Sequence, residues 1–249
     1  MTNEKITAFG YNLAKGLCKI IDNPTKKTSQ NGKTFATARA SYTFYSNNPG
    51  EAYTTYFSFI AFGKTGDKLI TNFKAGDMIR FVGKIYQNKF LNTEKNTETT
   101  SLNVYLLSMS RLDYTDQQNS EEYFIIETLG TISQDPKAIN DDNILLNICY
   151  ANNSNEAEFM SIFTKKKHIE RLNSNERANI KKGKILGIKF TPYGVTKTTS
   201  TGKVYRGISG QANAIFYVED LLEHNPITAQ EEPQVYKDTE QLFRELFLE

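Results

Sequence analysis

Hydrophobic and polar residues alternate with a period of two through much of the N-terminal half of the chain. The alternation is clearest in four segments, Lys33–Tyr45, Tyr53–Phe62, Asp77–Phe90 and Ser101–Leu112. Such a pattern predicts β-strands that bury one face. A further strand is predicted over Lys15–Asp22, and the polar, turn-rich stretches between the segments predict loops.

A short helix interrupts this series of strands. Leu69, Ile70 and Phe73 have the spacing of one helical face, and Gly76 supplies a stop signal. Five strands with one short helix after the third are typical of a Greek-key barrel, the oligonucleotide/oligosaccharide-binding (OB) fold. The first 113 residues are therefore predicted to form one OB domain.

The same order of elements recurs more loosely in the second half. Leu129–Pro136 matches Leu17–Pro24 at an offset of 112 residues, and the helical segments end at Gly183 and Gly76, at an offset of 107. A tandem repeat is the simplest interpretation. The predicted fold class is all-β, with two tandem five-stranded OB-fold Greek-key barrels over residues 1–113 and 114–225, each with a short helix, and an acidic amphipathic tail over 226–249.

Charge is distributed unevenly along the 249 residues, although the net charge is only +2. Residues 1–113 carry 15 Lys and Arg against 8 Asp and Glu, residues 114–225 carry 13 against 14, and residues 226–249 carry 2 against 6. The first domain is thus predicted to present a positive field to a polyanionic partner, and the tail a negative field that can compete with that partner.

Aromatic and basic side chains share the predicted outer face of the first domain. Tyr56 and Phe62 lie on one face of the third strand, whereas Phe81 and Ile85 form an apolar face of the fourth strand that is expected to be buried. The opposite face of the fourth strand carries Arg80, Lys84, Tyr86, Asn88 and Phe90. Flat rings interleaved with cations suit single-stranded nucleic acid, because unpaired bases stack on rings and phosphates bind cations. The alternative is that these rings pack beneath loops or at a subunit interface.

The stretch from Phe62 to Phe90 carries several features at characteristic spacing. They are Phe62-Gly63-Lys64, a short helix, Ala75-Gly76-Asp77, an alternating strand that contains Gly83, and the aromatic Phe90. This arrangement resembles the bacterial and phage-type single-stranded DNA-binding protein family, which has the OB fold. The resemblance covers Leu17–Leu112.

The family resemblance implies roles for individual residues. Tyr56 stands where the family often has a stacking tryptophan, and Phe62 and Phe90 fall on two further stacking positions. A fourth ring is implied at Tyr42 or Phe44, and Tyr86 is a further candidate for stacking. Independently of the resemblance, the interleaving of rings and cations gives candidates for phosphate binding, and the alternative for Lys33 and Arg39 is that they are solvated surface charges. These candidates are Lys33, Arg39, Lys64, Arg80, Lys84 and Lys89.

The second repeat departs from the family pattern. Counted back from Phe163, the residue that corresponds to Tyr56 is Ala157, and the residue that corresponds to Phe90 is Lys197. A secondary basic set remains, which either tracks phosphates or is a solvated face. We expect the second domain to be either a weaker DNA site or an assembly and spacer domain, and the resemblance implies a homodimer. The secondary basic set consists of Lys165, Lys166, Lys167 and Lys182.

The acidic tail lacks the closing Pro-Phe of the family. Instead Leu242, Phe243, Leu246 and Phe247 have helical spacing. We interpret the tail as an amphipathic helix that binds replication or recombination proteins. The alternative is a terminal helix that packs on its own barrel.

Catalysis, metal binding and membrane insertion have no basis in the sequence. Cys18 and Cys149 are far apart, and only His168 and His224 offer imidazole ligands, so neither a disulfide framework nor a zinc site is predicted. There is no Gly-rich phosphate cradle or hydrolase motif, and Tyr193–Lys203 is interpreted as a hairpin loop. With no apolar run of signal-peptide or membrane-span length, a cytoplasmic protein without cofactor or membrane partner is expected.

The sequence therefore predicts a non-enzymatic protein that binds and protects single-stranded DNA during replication, recombination, repair or plasmid and phage transfer. The alternatives are an OB-fold adaptor that binds protein partners in such a complex and a binder that prefers RNA. The Asn- and Lys-rich composition and the divergent second repeat favour a phage or plasmid origin.

Overall fold

The computed structural model describes residues 11–29, 31–45, 52–92, 97–112, 120–151, 157–173, 180–200 and 202–217. Within them the chain is mostly β, with eleven strands and two helices, which confirms the β class predicted from alternation. Strands β1 to β6 and helix α1 come first: β1 Asn12–Ile20, β2 Thr25–Thr28, β3 Thr34–Tyr45, β4 Ala52–Phe62, α1 Gly63–Asn72, β5 Met78–Asn92 and β6 Thr97–Arg111. The remaining elements are β7 Tyr123–Ala138, β8 Asn143–Ala151, β9 Ala157–Lys165, α2 Lys166–Asn173, β10 Ile185–Thr198 and β11 Val204–Tyr217.

The described chain divides into two compact units. The first contains residues 13–126 and 191–209, and the second contains 127–190, 210–217 and the first two described residues. The first unit therefore includes two segments, 120–126 and 191–209, that lie beyond the predicted boundary at residue 113. The predicted tail, with Leu242, Phe243, Leu246 and Phe247, lies outside the described residues.

Five strands of the first unit pair in a closed circuit. β1 pairs antiparallel with both β3 and β5, β3 pairs with β4, β4 pairs parallel with β6, and β6 pairs with β5. Edge strand β2, with the sequence Thr-Lys-Lys-Thr, is an addition that the alternation did not predict, because all four of its side chains are exposed.

Aromatic rings fill the core of the first unit. Phe57, Phe59 and Phe81 are almost fully buried and contact one another with centroid distances of 5.0–5.9 Å. Phe124 completes the cluster at 4.7 Å from Phe57, since the start of β7 belongs to this unit. As predicted, β4 and β5 each bury one face in the core, and their opposite faces lie outside it.

The second unit repeats the circuit with strands β7, β8, β9, β11 and β10, and β10 returns to β7. β8 pairs antiparallel with β7 on one side and with β9 on the other. The helix of this unit, α2, covers Lys166–Asn173. The predicted hairpin around residues 193–203 is confirmed, with a shorter turn in which Gly202 donates a hydrogen bond to the carbonyl of Thr199. Neither α1 nor α2 has the length and apolar character of a membrane-spanning helix.

Candidate nucleic-acid interface

One side of β3, β4, β6 and β5 faces away from the aromatic core and is partly open to solvent. Cross-strand register places its residues together, because directly paired residues project to the same side of a sheet. We call this surface the aromatic face. It consists of Phe35, Thr37, Arg39 and Ser41 on β3, Tyr56, Ser58, Ile60 and Phe62 on β4, Thr99, Ser101, Asn103 and Tyr105 on β6, and Lys84, Tyr86, Asn88 and Phe90 on β5.

Four rings form a row across the aromatic face. Phe35 and Phe62 are cross-strand partners with centroids 5.7 Å apart, and Phe62 stacks on Tyr105 at 5.0 Å with planes only 10° apart. Tyr86 meets the edge of Tyr105 at 6.4 Å. All four side chains are half-buried. Phe62 and Tyr86 were predicted for this surface, whereas Phe35 and Tyr105 were missed.

Tyr56 and Phe90 lie apart from that row and are far more exposed. The exposed fraction is 64% for Tyr56 and 56% for Phe90. These two residues are therefore the ring surfaces most available to a flat ligand.

Gly83 allows the strands beneath the ring row to approach closely. A Cβ atom at Gly83 would lie 2.4 Å from the carbonyl oxygen of Tyr105 and 2.6 Å from a methyl group of Val104. The β5–β6 pairing also shifts register between Val82 and Gly83. The glycine and the bulge thus set the position of Tyr105 at the centre of the row.

The structure corrects the sequence-based choice of Tyr42 as a stacking residue. Tyr42 is 1% exposed and packs against Phe124 at 5.5 Å, and burial raises the pKa of its hydroxyl group. Its partner in the β3–β4 pairing is Thr55, so it lies on the core side of β3. Phe44 shares that side and is half-buried opposite Tyr53. The physical reason is that neighbouring residues of a strand lie on opposite faces, so a stacking residue chosen one position away from Ser41 on β3 falls on the core side.

Arg39 places a guanidinium group on the aromatic face, where Asp22 partly neutralises it. Its Nη2 donates to Oδ1 of Asp22 at 3.0 Å, and both side chains are solvent-exposed. The hydrogen bond from Arg39 lowers the pKa of Asp22, and the same hydrogen bond raises the pKa of Arg39. Between exposed groups such a pair is weak and exchangeable, so a phosphate can compete for the guanidinium.

The other predicted cations lie at different places around the face. Lys84 is half-buried beside Tyr105, its cross-strand partner, and Arg80 is exposed further along the same side of β5. Lys64 is exposed in the first turn of α1, and Lys33 is exposed just before β3. Lys89 is exposed but alternates to the opposite side of β5 from Phe90. Within the described residues none of these five cations forms an ion pair, so their charges are available to an anion.

Asn103 forms a polar floor between the rings. It pairs with Tyr86 on one side and Ser58 on the other, and it is only 5% exposed. Its Nδ2 has no hydrogen-bond partner among the described residues. A buried amide donor without a partner costs free energy, so an acceptor brought by a ligand or by water would stabilise it.

The second unit carries an exposed ring that the sequence alignment of the repeats missed. Tyr56 lies seven residues before α1 begins at Gly63, and Phe159 lies seven residues before α2 begins at Lys166. Phe159 is 54% exposed. The expected counterpart, Ala157, was offset by two residues because the alignment matched Phe163 to Phe62, whereas α2 starts three residues after Phe163.

The face that carries Phe159 has a polar centre. Ser161 donates to Oδ1 of Asn147 at 2.8 Å, and Asn147 donates to Oε1 of Gln134 at 3.1 Å, which links three neighbouring strands. Phe163 is half-buried on the same side of β9 as Phe159. This surface is therefore poorer in rings than the aromatic face of the first unit.

The secondary basic set lies beside acidic groups. Lys165, Lys166 and Lys167 line a depression of about 420 Å³ together with Asp141, Asp142 and Glu170. Nζ of Lys166 is 3.6 Å from the Glu170 carboxylate. Lys182 is exposed in the turn before β10, where its backbone N–H donates to Asp135. The positive charge of Lys165, Lys166 and Lys167 is thus locally compensated.

The described residues include two thiols and one imidazole group. Cys18 and Cys149 are buried free thiols, and burial raises the pKa of both. Burial lowers the pKa of His168, whose Nδ1 lies 3.4 Å from the hydroxyl of Thr164. No group of three or more His, Cys, Asp and Glu side chains that could hold a metal ion occurs in the described part of the chain.

Comparison with solved structures assigns the fold. The chain is similar to the wild-type single-stranded DNA-binding protein from Thermus aquaticus, with 12% identity, a TM-score of 0.60 and coverage of 84% of this chain and 94% of that chain. A deletion mutant of that protein gives 11% identity, a TM-score of 0.61 and coverage of 84% and 95%. A Plasmodium falciparum single-stranded DNA-binding protein in complex with DNA gives 15% identity, a TM-score of 0.35 and coverage of 45% and 100%.

The resemblance to single-stranded DNA-binding proteins predicted from Phe62–Phe90 is thus confirmed, and at these identities it is a likeness of fold. No family model matches the sequence, and no curated protein matches it.

Proposed function

We propose that this protein is a non-catalytic binder of single-stranded DNA and that the aromatic face is its principal site. The observation that carries the proposal is the presence of six rings on one open side of four paired strands, two of them more than half exposed, with cations beside them. The fold shared with the Thermus aquaticus protein supports it.

Stacking and charge neutralisation have separate locations on this surface. Tyr56 and Phe90 offer free ring surface, and each base that stacks on such a ring contributes about 1–3 kcal/mol. Phe62 and Tyr86 belong to the ring row and are half-buried, so they offer a smaller exposed ring surface to bases. The cations Arg39, Lys64, Arg80 and Lys84 neutralise phosphates, so binding is tolerant of sequence and sensitive to salt.

The finer architecture is part of the same proposal. Each unit is an OB barrel with one short helix, the first binds DNA, and the second either extends the site through Phe159 and the secondary basic set or serves in assembly as a homodimer. The tail over residues 226–249 recruits replication or recombination proteins through its apolar residues. The protein acts in the cytoplasm during replication, recombination or plasmid and phage transfer.

A titration of labelled dT oligomers at two salt concentrations tests the function. We expect binding at micromolar protein and about 50 mM salt, and a marked loss of affinity at higher salt, because counterions are released on binding. Duplex DNA of the same length is the control and is expected to bind more weakly. If the dT oligomers stay unbound while the duplex is retained, or if the isolated protein binds no polyanion, the proposal is wrong.

A competition between dT and rU oligomers separates DNA from RNA preference. Tighter binding of rU would favour the RNA-binding alternative.

A further inference from the structure

The hairpin formed by β10 and β11 contributes its tip to the first unit, although it lies far along the chain from β1 to β6. Residues 191–209 cluster with residues 13–126. The start of β11 pairs parallel with the start of β6, with Val204 opposite Thr97, Tyr205 opposite Glu98 and Arg206 opposite Thr99. The hairpin tip thus extends the sheet beyond β6.

Contacts on both sides of the tip hold it in this register. Nζ of Lys203 lies 3.1 Å from the Glu98 carboxylate and 4.5 Å from the centroid of the Tyr205 ring. Hydrogen bonds with Tyr205 and with Glu98 raise the pKa of Lys203. At the other strand, the backbone N–H of Gly194 donates to the hydroxyl of Thr55 at 3.2 Å. The tip therefore contacts both β6 and β4.

The register places one cation of the hairpin on the aromatic face. Thr99 is the partner of Phe90 on β5 and of Arg206 on β11, so the three side chains project to the same side. Strands in a sheet are about 4.8 Å apart, which puts the Cα atoms of Arg206 and Phe90 roughly 10 Å apart. Arg206 is exposed, and no ion pair with another described residue engages it. Lys203, in contrast, is held by Glu98.

We propose that Arg206 binds a phosphate of single-stranded DNA next to the base that stacks on Phe90. This inference rests on the proposed function of the aromatic face. A guanidinium group suits the role because its planar fork of donors can bind two phosphate oxygens at once. The hairpin thereby completes the DNA site of the first unit with a residue that lies outside the N-terminal repeat.

The salt dependence of DNA binding tests the role of Arg206. For single strands, the slope of log K against log salt changes by about 0.7 for each phosphate contact. Arg206→Gln is therefore expected to make this slope shallower by about 0.7, so that the ratio of native to variant affinity grows about fivefold for each tenfold decrease in salt. Arg206→Lys, which keeps the charge, is expected to restore most of the slope. The variants should keep the native circular dichroism spectrum and thermal midpoint, because the side chain is exposed.

Lys68→Gln is the matched control, since it removes one exposed positive charge from α1, off the strands of the face. It should leave the slope unchanged. If Arg206→Gln keeps the native slope while Tyr56→Ala still loses affinity, the role of Arg206 is refuted and the function of the face stands. Equal slope changes in Arg206→Gln and Lys68→Gln would also refute it, because they would reflect net charge alone. If the native protein fails to bind dT oligomers, the proposed function itself fails.

Discussion

Simultaneous replacement of Tyr56 and Phe90 by alanine removes the two most exposed rings of the aromatic face. The side chains are 64% and 56% exposed, so their surfaces are available for two bases. With about 1–3 kcal/mol for each stacked base, the double variant should lose about 2–6 kcal/mol of binding free energy. The lower value corresponds to about a 30-fold increase in the dissociation constant.

Fluorescence anisotropy with a labelled dT oligomer measures this loss, and the intrinsic fluorescence of the 14 tyrosines offers a label-free check, because the chain has no tryptophan. The slope of affinity against salt should stay at its native value, since no phosphate contact is removed. Thermal stability should change by no more than about 0.5 kcal/mol, as for other exposed positions. Native affinity in a folded double variant would refute the assignment of these rings to base stacking.

Phe57→Ala provides the opposite control on the same strand. Phe57 neighbours Tyr56 in sequence but is 3% exposed within the ring cluster of the core. Its loss should lower the free energy of unfolding by about 3–5 kcal/mol. A denaturant titration measures this, and a loss much below that range would show that the cluster is packed loosely.

Three further predictions concern single sites. Gly83→Ala should lower the free energy of unfolding by about 1–3 kcal/mol, measured by thermal denaturation, because its Cβ would meet the carbonyl oxygen of Tyr105 at 2.4 Å; a neutral result would mean that β5 and β6 can shift freely. Asp22→Asn should release Arg39 and make the salt slope of DNA binding steeper by about 0.7. An unchanged salt slope in Asp22→Asn would place Arg39 outside the site. Because Arg39 lowers the pKa of Asp22, their ion pair is present above the ordinary pKa of a free Asp and is lost as the pH falls through the lowered value. The Cys18 thiol, buried and with a raised pKa, should react with a disulfide reagent at pH 8 only after unfolding, and rapid native labelling would contradict its placement.

Alternation along the chain predicted much of the first unit because its strands are two-sided. Tyr56 and Phe57 differ by one position, and one is solvent-exposed while the other is in the core, as the period of two requires. The same pattern correctly buried Phe81 and left Lys84 and Tyr86 outside. Local sequence was therefore sufficient to predict which strand face is buried and which is exposed, wherever a strand was long and regular.

Register between strands was beyond the reach of one sequence. Tyr42 and Phe44 could not be told from their neighbours on β3 without knowing that Ser41, and not Tyr42, pairs with Tyr56. Tyr105 was missed because it stands in the apolar run Val104–Leu107, where the alternation of its strand is interrupted and does not identify the outer face. Arg206 was missed for a different reason, since its place depends on a pairing with a strand about a hundred residues earlier.

The pairing of Val204 with Thr97 has a consequence for synthesis of the chain on the ribosome. At roughly 5–20 residues per second, about 5–20 s pass between emergence of the start of β6 and emergence of its parallel partner. During that interval the backbone N–H and C=O groups that Thr97–Thr99 direct away from β5 have no strand to pair with, and an open strand edge invites association with other chains. A nascent chain halted before residue 204 should therefore be recognised by cellular chaperones more strongly than one that has extended past residue 209.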